Sequence, residues 1–199
     1  MIYVYVAKLP LTESAEALSN IERQAEINSI SNERVRREKY YVWRLLEYAM
    51  RQSLGIDPTE VEFKKGTSGK WTCDACEFSL SHSGDALAVA ISKEPVGVDI
   101  ERERIKRPDA MADFILTFNE RREYENISNE AKEKYLIRKW CEKESAFKLQ
   151  NKDSFKPAQI ETAEFFSTVT ETELLLEKYI LAVSSKSEDT VKVFNGITF

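Results

Sequence analysis

The chain has 199 residues, 42% hydrophobic and 11% aromatic, which suits one large domain or two small lobes and excludes a disordered chain. A net charge of −5 gives no overall basic field of the kind that draws nucleic acid. There is no run of ~18 apolar residues, and Met1 to Ala7 is too short for a signal-peptide core and lacks a basic lead, so the expectation is a cytoplasmic protein with no membrane partner.

Met1 to Ala7 alternates as a strand does. Asn32 to Leu54 reads as one long amphipathic helix, with Val35, Val42, Leu45, Leu46, Ala49 and Met50 at helical spacing. Gly55 stands where a C-terminal cap belongs and Pro58 forbids continuation. Arg34, Arg36, Arg37, Lys39 and Arg44 cluster on this helix, as a solvated face or as a patch for phosphate or an acidic partner. Val61 and Phe63 suggest an exposed strand, and Gly66 and Gly69 bracket a turn ending at Lys70. Cys73 and Cys76 form a Cys-x-x-Cys, but a zinc site needs four ligands. Only Cys141 and His82 remain to supply them, at no recognised spacing, so coincidence is expected. The three cysteines offer no disulfide framework.

Phe78 to Leu80 reads as a short strand and Ala86 to Ser92 as a buried one. Glu94 and Pro95 mark a turn into Val96 to Glu101, and the last two runs look like a hairpin. The charged run from Arg102, closed by Pro108, is placed as a lobe boundary dividing residues 1–105 from 106–199. Asp109 to Phe118 is expected as a helix, with a further turn from Asn119 through Tyr124. Ser128 caps a long helix to about Leu149, striped by Tyr135, Leu136, Trp140 and Phe147. Strands are expected near Ile160 to Phe165, Leu174 to Lys178, Tyr179 to Ser185 and Val191 to Phe194. Each half is a long helix with several strands, an α+β plan.

Asp99 and Glu101 point to one face of their strand. Two such carboxylates repel unless a cation or proton lies between them. Glu144 and Lys148 are four apart on a helix, with Trp140 one turn earlier on the same face. If that helix packs on the strand, Glu144 completes a set of three carboxylates, and oxygen-only ligands favour Mg²⁺, with Mn²⁺ as an alternative. The plainer reading makes Asp99 and Glu101 solvated strand residues and Glu144–Lys148 a surface ion pair. His82, flanked by Ser81, Ser83 and Gly84, is either a hydrogen-bonded structural histidine or part of a polar loop that meets a phosphate.

Gly69 and Lys70, then Ser81, His82 and Ser83, then Gly97 to Glu101, then Trp140, Lys143, Glu144, Ser145 and Lys148 stand in an order that resembles the 4′-phosphopantetheinyl transferase family. The likeness is to its Sfp-like, two-lobed branch. It implies two similar lobes related by a pseudo-twofold, each a long helix on a small, mainly antiparallel sheet, with the active site in the cleft between them. It implies transfer of the phosphopantetheine arm of coenzyme A to a serine of an apo acyl or peptidyl carrier protein, with release of adenosine 3′,5′-bisphosphate. Fatty acid, polyketide and nonribosomal peptide carriers are all open. By the same resemblance Asp99, Glu101 and Glu144 hold the metal, Lys148 contacts the phosphates, and Lys143 is a further candidate. Lys70 and His82, with Ser81 nearby, would meet the 3′-phosphate or ribose. Arg44 aligns with a basic position of the family's first helix, with Lys39 or Arg36 as alternatives. Glu120 is the expected general base, Glu123 and Glu144 being the others, and a monomer is expected. Trp71 stands where the family commonly has proline, and Cys141 where it has a small hydroxyl residue. Two other readings compete: a different Mg²⁺-dependent phosphoryl-transfer or hydrolytic enzyme, and a zinc-holding protein-binding module.

Overall fold

The computed structural model describes every residue except 68, 105–107, 152–153 and 175. Strand β1 (Ile2–Lys8) is followed by helices α1 (Ile21–Asn28) and α2 (Glu33–Ala49), then strands β2 (Phe63–Lys65), β3 (Trp71–Cys73), β4 (Glu77–Ser83), β5 (Ala86–Ser92) and β6 (Val96–Arg102). Helices α3 (Pro108–Ile115), α4 (Phe118–Asn126) and α5 (Asn129–Gln150) come next, and strands β7 (Phe166–Leu174), β8 (Glu177–Ser185) and β9 (Val191–Ile197) close the chain. The class is α+β, as expected.

A four-stranded sheet has the order β4-β5-β1-β9 and a three-stranded sheet the order β6-β8-β7, with β2 and β3 a separate pair. Alternation decides what each face meets. Tyr5, Leu87, Val89 and Ile91 bury one face of the larger sheet against Trp43, Leu45 and Leu46 of α2. Val4, Val6, Ala88 and Ala90 of its other face pack on Val98, Ile100, Leu181 and Val183 of the smaller sheet. Ile180 and Ala182, on the far face of that sheet, meet Ile137 and Cys141 of α5. The order of layers is therefore helix, sheet, sheet, helix.

The two long helices begin and end near the expected places. Asn32 caps α2 through Val35 N–H, and a wider turn, Met50–Leu54, ends at Gly55 with φ +65°. Among the described residues no helix is long and apolar enough to cross a membrane. Several expectations need correction. The runs 86–92 and 96–101 are not a hairpin, because β5 is flanked by β4 and β1 while β6 pairs with β8. The strand expected at 160–165 is replaced by two short 3-10 turns, Pro157–Gln159 and Thr162–Glu164, and the strand starts at Phe166. Leu174 to Lys178 is not a strand of its own: Leu174 ends β7, Leu176 has φ +68°, and Glu177 and Lys178 open β8. Helix α1 was not foreseen. Strand β6, on the N-terminal side of the expected lobe boundary, joins the smaller sheet, and β9, on the C-terminal side, joins the larger one. The junction 105–106 lies outside the described residues.

Candidate functional site

Helix α5 crosses β6 at Gly97. A Cβ there would sit 1.8 Å from the Ser145 carbonyl oxygen and 2.8 Å from the Leu149 nitrogen, so only glycine lets helix and strand backbones meet. This contact brings Glu144 and Lys148 over the strand that carries Asp99 and Glu101. Lys148 Nζ lies 2.7 Å from Asp99 Oδ1 and 3.6 Å from Glu144 Oε2, and 3.1 Å from Ser81 Oγ. Burial disfavours the Lys148 ammonium, but Asp99 and Glu144 outweigh burial and raise its pKa.

The carboxyl groups respond to one another. Burial, then the Asp99 charge, lifts Glu101 from an ordinary value near 4.5 to about 7, and the same two causes raise Glu144. Asp99 is 2% exposed, and its Oδ2 is buried with no hydrogen-bond partner among the described residues. Among those residues, no three His, Cys, Asp or Glu side chains converge as they stand to hold one ion; the Lys148 ammonium is the cation among these carboxylates. An orphaned buried carboxylate oxygen, two neighbouring carboxyls with raised pKa and an all-oxygen donor set fit a hard divalent cation, provided Lys148 moves off Asp99.

The raised Glu101 pKa ties stability to pH. Between pH ~4.5 and about 7 the folded metal-free protein holds a proton that the unfolded chain has lost, so stability falls as pH rises through that window and levels off above it. The expected loss is about 3 kcal/mol relative to Glu101→Gln, which lacks the titrating group. Denaturant midpoints of both proteins from pH 4 to 8 check this, and parallel profiles would contradict it.

Next to these groups lies a cavity of about 490 Å³, lined among others by Arg23, Lys39, Lys70, Trp71, Phe147 and Lys148. Its lining holds four basic side chains against one carboxylate, Glu26, an excess that suits an anionic occupant. Lys70 Nζ donates to the Lys148 carbonyl at 3.0 Å, and burial lowers its pKa. His82 has Nδ1 3.7 Å from Glu38 Oε2. Burial lowers its pKa, with Glu38 opposing and Lys148 and Lys39 assisting.

Arg23 and Glu26 of α1 were missed by sequence reasoning. Arg23 lies over the Trp43 ring and donates to Glu26, which also accepts from Lys65 and from the Trp71 indole. Burial opposes the Glu26 charge, yet the bonds from Lys65, Arg23 and Trp71 prevail and hold its carboxyl at about 2. The available signal was Asn20, whose side chain caps α1 through Arg23 N–H.

Other expected residues lie elsewhere. Arg44 pairs with Glu16 and Glu47, and Arg36 with Glu13; these arginines tie down the segment before α1, and Lys39 is the basic residue of α2 at the cavity. Lys143 is wholly enclosed, 2.6 Å from Glu120 Oε2 and bonded to the carbonyls of Pro157 and Ile160. It is therefore not presented to the cavity. Glu120 is 5% exposed and also accepts from Thr117 N–H in a capping box. Glu123 accepts from the Tyr135 hydroxyl. Cys73 and Cys76 have sulfurs 3.9 Å apart, while Cys141 lies on the buried face of α5 with its thiol on the carbonyls of Asp99 and Ile180. Cys141, engaged with those carbonyls, does not join Cys73 and Cys76 as a further zinc ligand.

The Glu120–Lys143 pair supports a prediction. Glu120→Gln leaves a buried ammonium without its carboxylate, and about 3 kcal/mol of stability should be lost in urea unfolding. Unchanged stability with a fall in turnover alone would instead mark Glu120 as a base.

Residues 95–193 match the model of the 4′-phosphopantetheinyl transferase superfamily. A stretch of 112 residues is 30% identical to the 4′-phosphopantetheinyl transferase psf-1 of Bacillus pumilus, covering 54% of this chain and 47% of that protein. The chain thus spans about half the length of the curated relative it matches.

Proposed function

We propose that this chain, a member of the 4′-phosphopantetheinyl transferase superfamily through residues 95–193, moves the phosphopantetheine arm of coenzyme A to a serine of an apo acyl or peptidyl carrier protein and releases adenosine 3′,5′-bisphosphate. The observation that carries the reading is the seat of Lys148 on Asp99, among three carboxylates and beside a cavity to which Arg23, Lys39 and Lys70 also contribute. In this reading residues 1–105 and 106–199 act as two similar lobes that exchange strands β6 and β9, with coenzyme A in the cleft between them. The long helix outside each sheet supports that plan.

Asp99, Glu101 and Glu144 would hold Mg²⁺ or Mn²⁺, which when bound supplies positive charge to the diphosphate. Lys148, released from Asp99, turns its ammonium to the phosphates. Lys39 and Lys70 offer further positive charge from the cavity wall, and His82 feels the charges of Lys39 and Lys148. The carrier serine oxygen bonds to the phosphorus that bears pantetheine, and the bond to the adenosine-side phosphate breaks. Glu144 would take the serine proton, directly or through a water, while Glu120 holds Lys143. Phe147 and Trp71 give the cavity apolar wall area for the uncharged parts of the coenzyme.

Chromatography of the nucleotide product tests the reaction class. Adenosine 3′,5′-bisphosphate should form only when an apo carrier is supplied; its formation from coenzyme A alone would favour the hydrolytic alternative.

Coenzyme recognition can be tested separately. Lys70→Ala and His82→Ala should each weaken coenzyme A binding about 10- to 100-fold, and dephospho-coenzyme A binding much less. Charge-assisted hydrogen bonds to a 3′-phosphate are worth roughly 1.5–3 kcal/mol. Equal losses for both ligands in titration calorimetry would place these residues away from that phosphate.

A further inference from the structure

Strand β6 lies at the edge of its sheet, with β8 on one side only. An open edge presents unpaired N–H groups, which a fold must cover. Here the cover is a row of serine hydroxyls rather than another backbone. Ser79, Ser81 and Ser83 alternate along β4 and share one of its faces. The Val98 N–H donates to Ser79 Oγ at 3.0 Å, the Ile100 N–H to Ser81 Oγ at 3.4 Å, and the Arg102 N–H to Ser83 Oγ at 3.3 Å.

A hydroxyl has one proton to give as well as lone pairs to offer. Ser81 gives its proton to Asp99 Oδ1 at 2.7 Å, and Ser83 gives its to Glu101 Oε2 at 2.6 Å. The residue in the corresponding place for Ser79 is Gly97, which has no side chain. The two oxygens of Glu101 are both held, because the Trp140 indole N–H donates to Oε1 at 3.1 Å. Glu101 is thus clamped between a β4 hydroxyl and an α5 indole.

We propose that Ser83 and Trp140 are positioning residues that fix the two oxygens of Glu101, and that Ser81 does the same for Asp99, through hydroxyls that also close the free edge of β6. The inference rests on the proposed role of these carboxylates as cation ligands. Groups that orient ligands in this way typically change metal affinity 10- to 100-fold when removed.

The test uses the full chain and Mn²⁺ alone, with free Mn²⁺ counted by electron paramagnetic resonance and folding followed by thermal unfolding of the metal-free protein. Ser83→Ala should weaken Mn²⁺ binding about tenfold or more, and Ser83→Thr, which keeps the hydroxyl, should restore most of it. Trp140→Phe should weaken binding through the other oxygen, and it carries the test if Ser83→Ala does not fold. Ser79→Ala is the control: it opens the same edge but touches no carboxylate, so its Mn²⁺ affinity should match wild type. Wild-type affinity in both Ser83→Ala and Trp140→Phe would overturn the proposal while leaving the metal reading intact. Equal losses in Ser79→Ala and Ser83→Ala would also overturn it, by reducing the row to a structural joint. Failure of the wild-type protein to bind Mn²⁺ would overturn the metal reading and this inference together.

Discussion

Gly97→Ala is expected to cost the protein 3 kcal/mol or more of stability, at or beyond the upper end of the roughly 1–3 kcal/mol typical of overpacking. The added methyl would lie 1.8 Å from the Ser145 carbonyl oxygen and 2.8 Å from the Leu149 nitrogen. Both atoms belong to the backbone of α5, so no side chain can rotate away. Either α5 lifts off β6 or the strand shifts, and both movements carry Glu144 and Lys148 away from Asp99. Urea unfolding should show an earlier midpoint, and any folded fraction should have lost coenzyme A-dependent activity. A variant with wild-type stability and turnover would contradict the close approach of helix and strand.

Asp99→Asn is expected to fold and yet lose about 10²–10⁴-fold in turnover, the scale of several kcal/mol of charge stabilisation. The amide keeps the shape of the carboxylate, and its carbonyl oxygen can still accept from Ser81. It cannot match the negative charge that faces Lys148. Asn is a cleaner test than Ala, which would leave Lys148 with Glu144 as its nearest carboxylate. Glu101→Ala and Glu144→Ala should also remove most activity. Near-normal turnover in any of the three at limiting Mg²⁺ would remove that residue from the ligand set.

The parts of the fold that sequence reveals are those set by local spacing. Helices α2 and α5 follow from apolar residues three and four apart and from the residues that end them, Asn32 and Gly55 in the first case. The adjacency of Asp99 to Glu101, and of Glu144 to Lys148, follows from strand and helix periods alone. What sequence hides is the choice of distant partner. Two apolar runs around Glu94 and Pro95 look like a hairpin, yet β6 takes its partner some eighty residues later, in β8. Lys143 looks like a solvated lysine of a phosphate motif until Glu120 and two carbonyls enclose it. The basic residues of α2 are evident, but only three dimensions show that Arg44 answers to Glu16 and Glu47 while Lys39 reaches the cavity. Helix α1 was invisible because its eight residues are mostly polar and it is held by its contacts with α2 and with Trp71.

The transfer itself is tested most directly by the intact mass of a panel of apo carrier proteins incubated with this protein, coenzyme A and Mg²⁺. At least one carrier should gain a single phosphopantetheine arm, the gain should vanish when its acceptor serine is replaced by alanine, and Asp99→Asn should slow it sharply. Carriers that keep their starting mass throughout, while coenzyme A is consumed, would contradict the account.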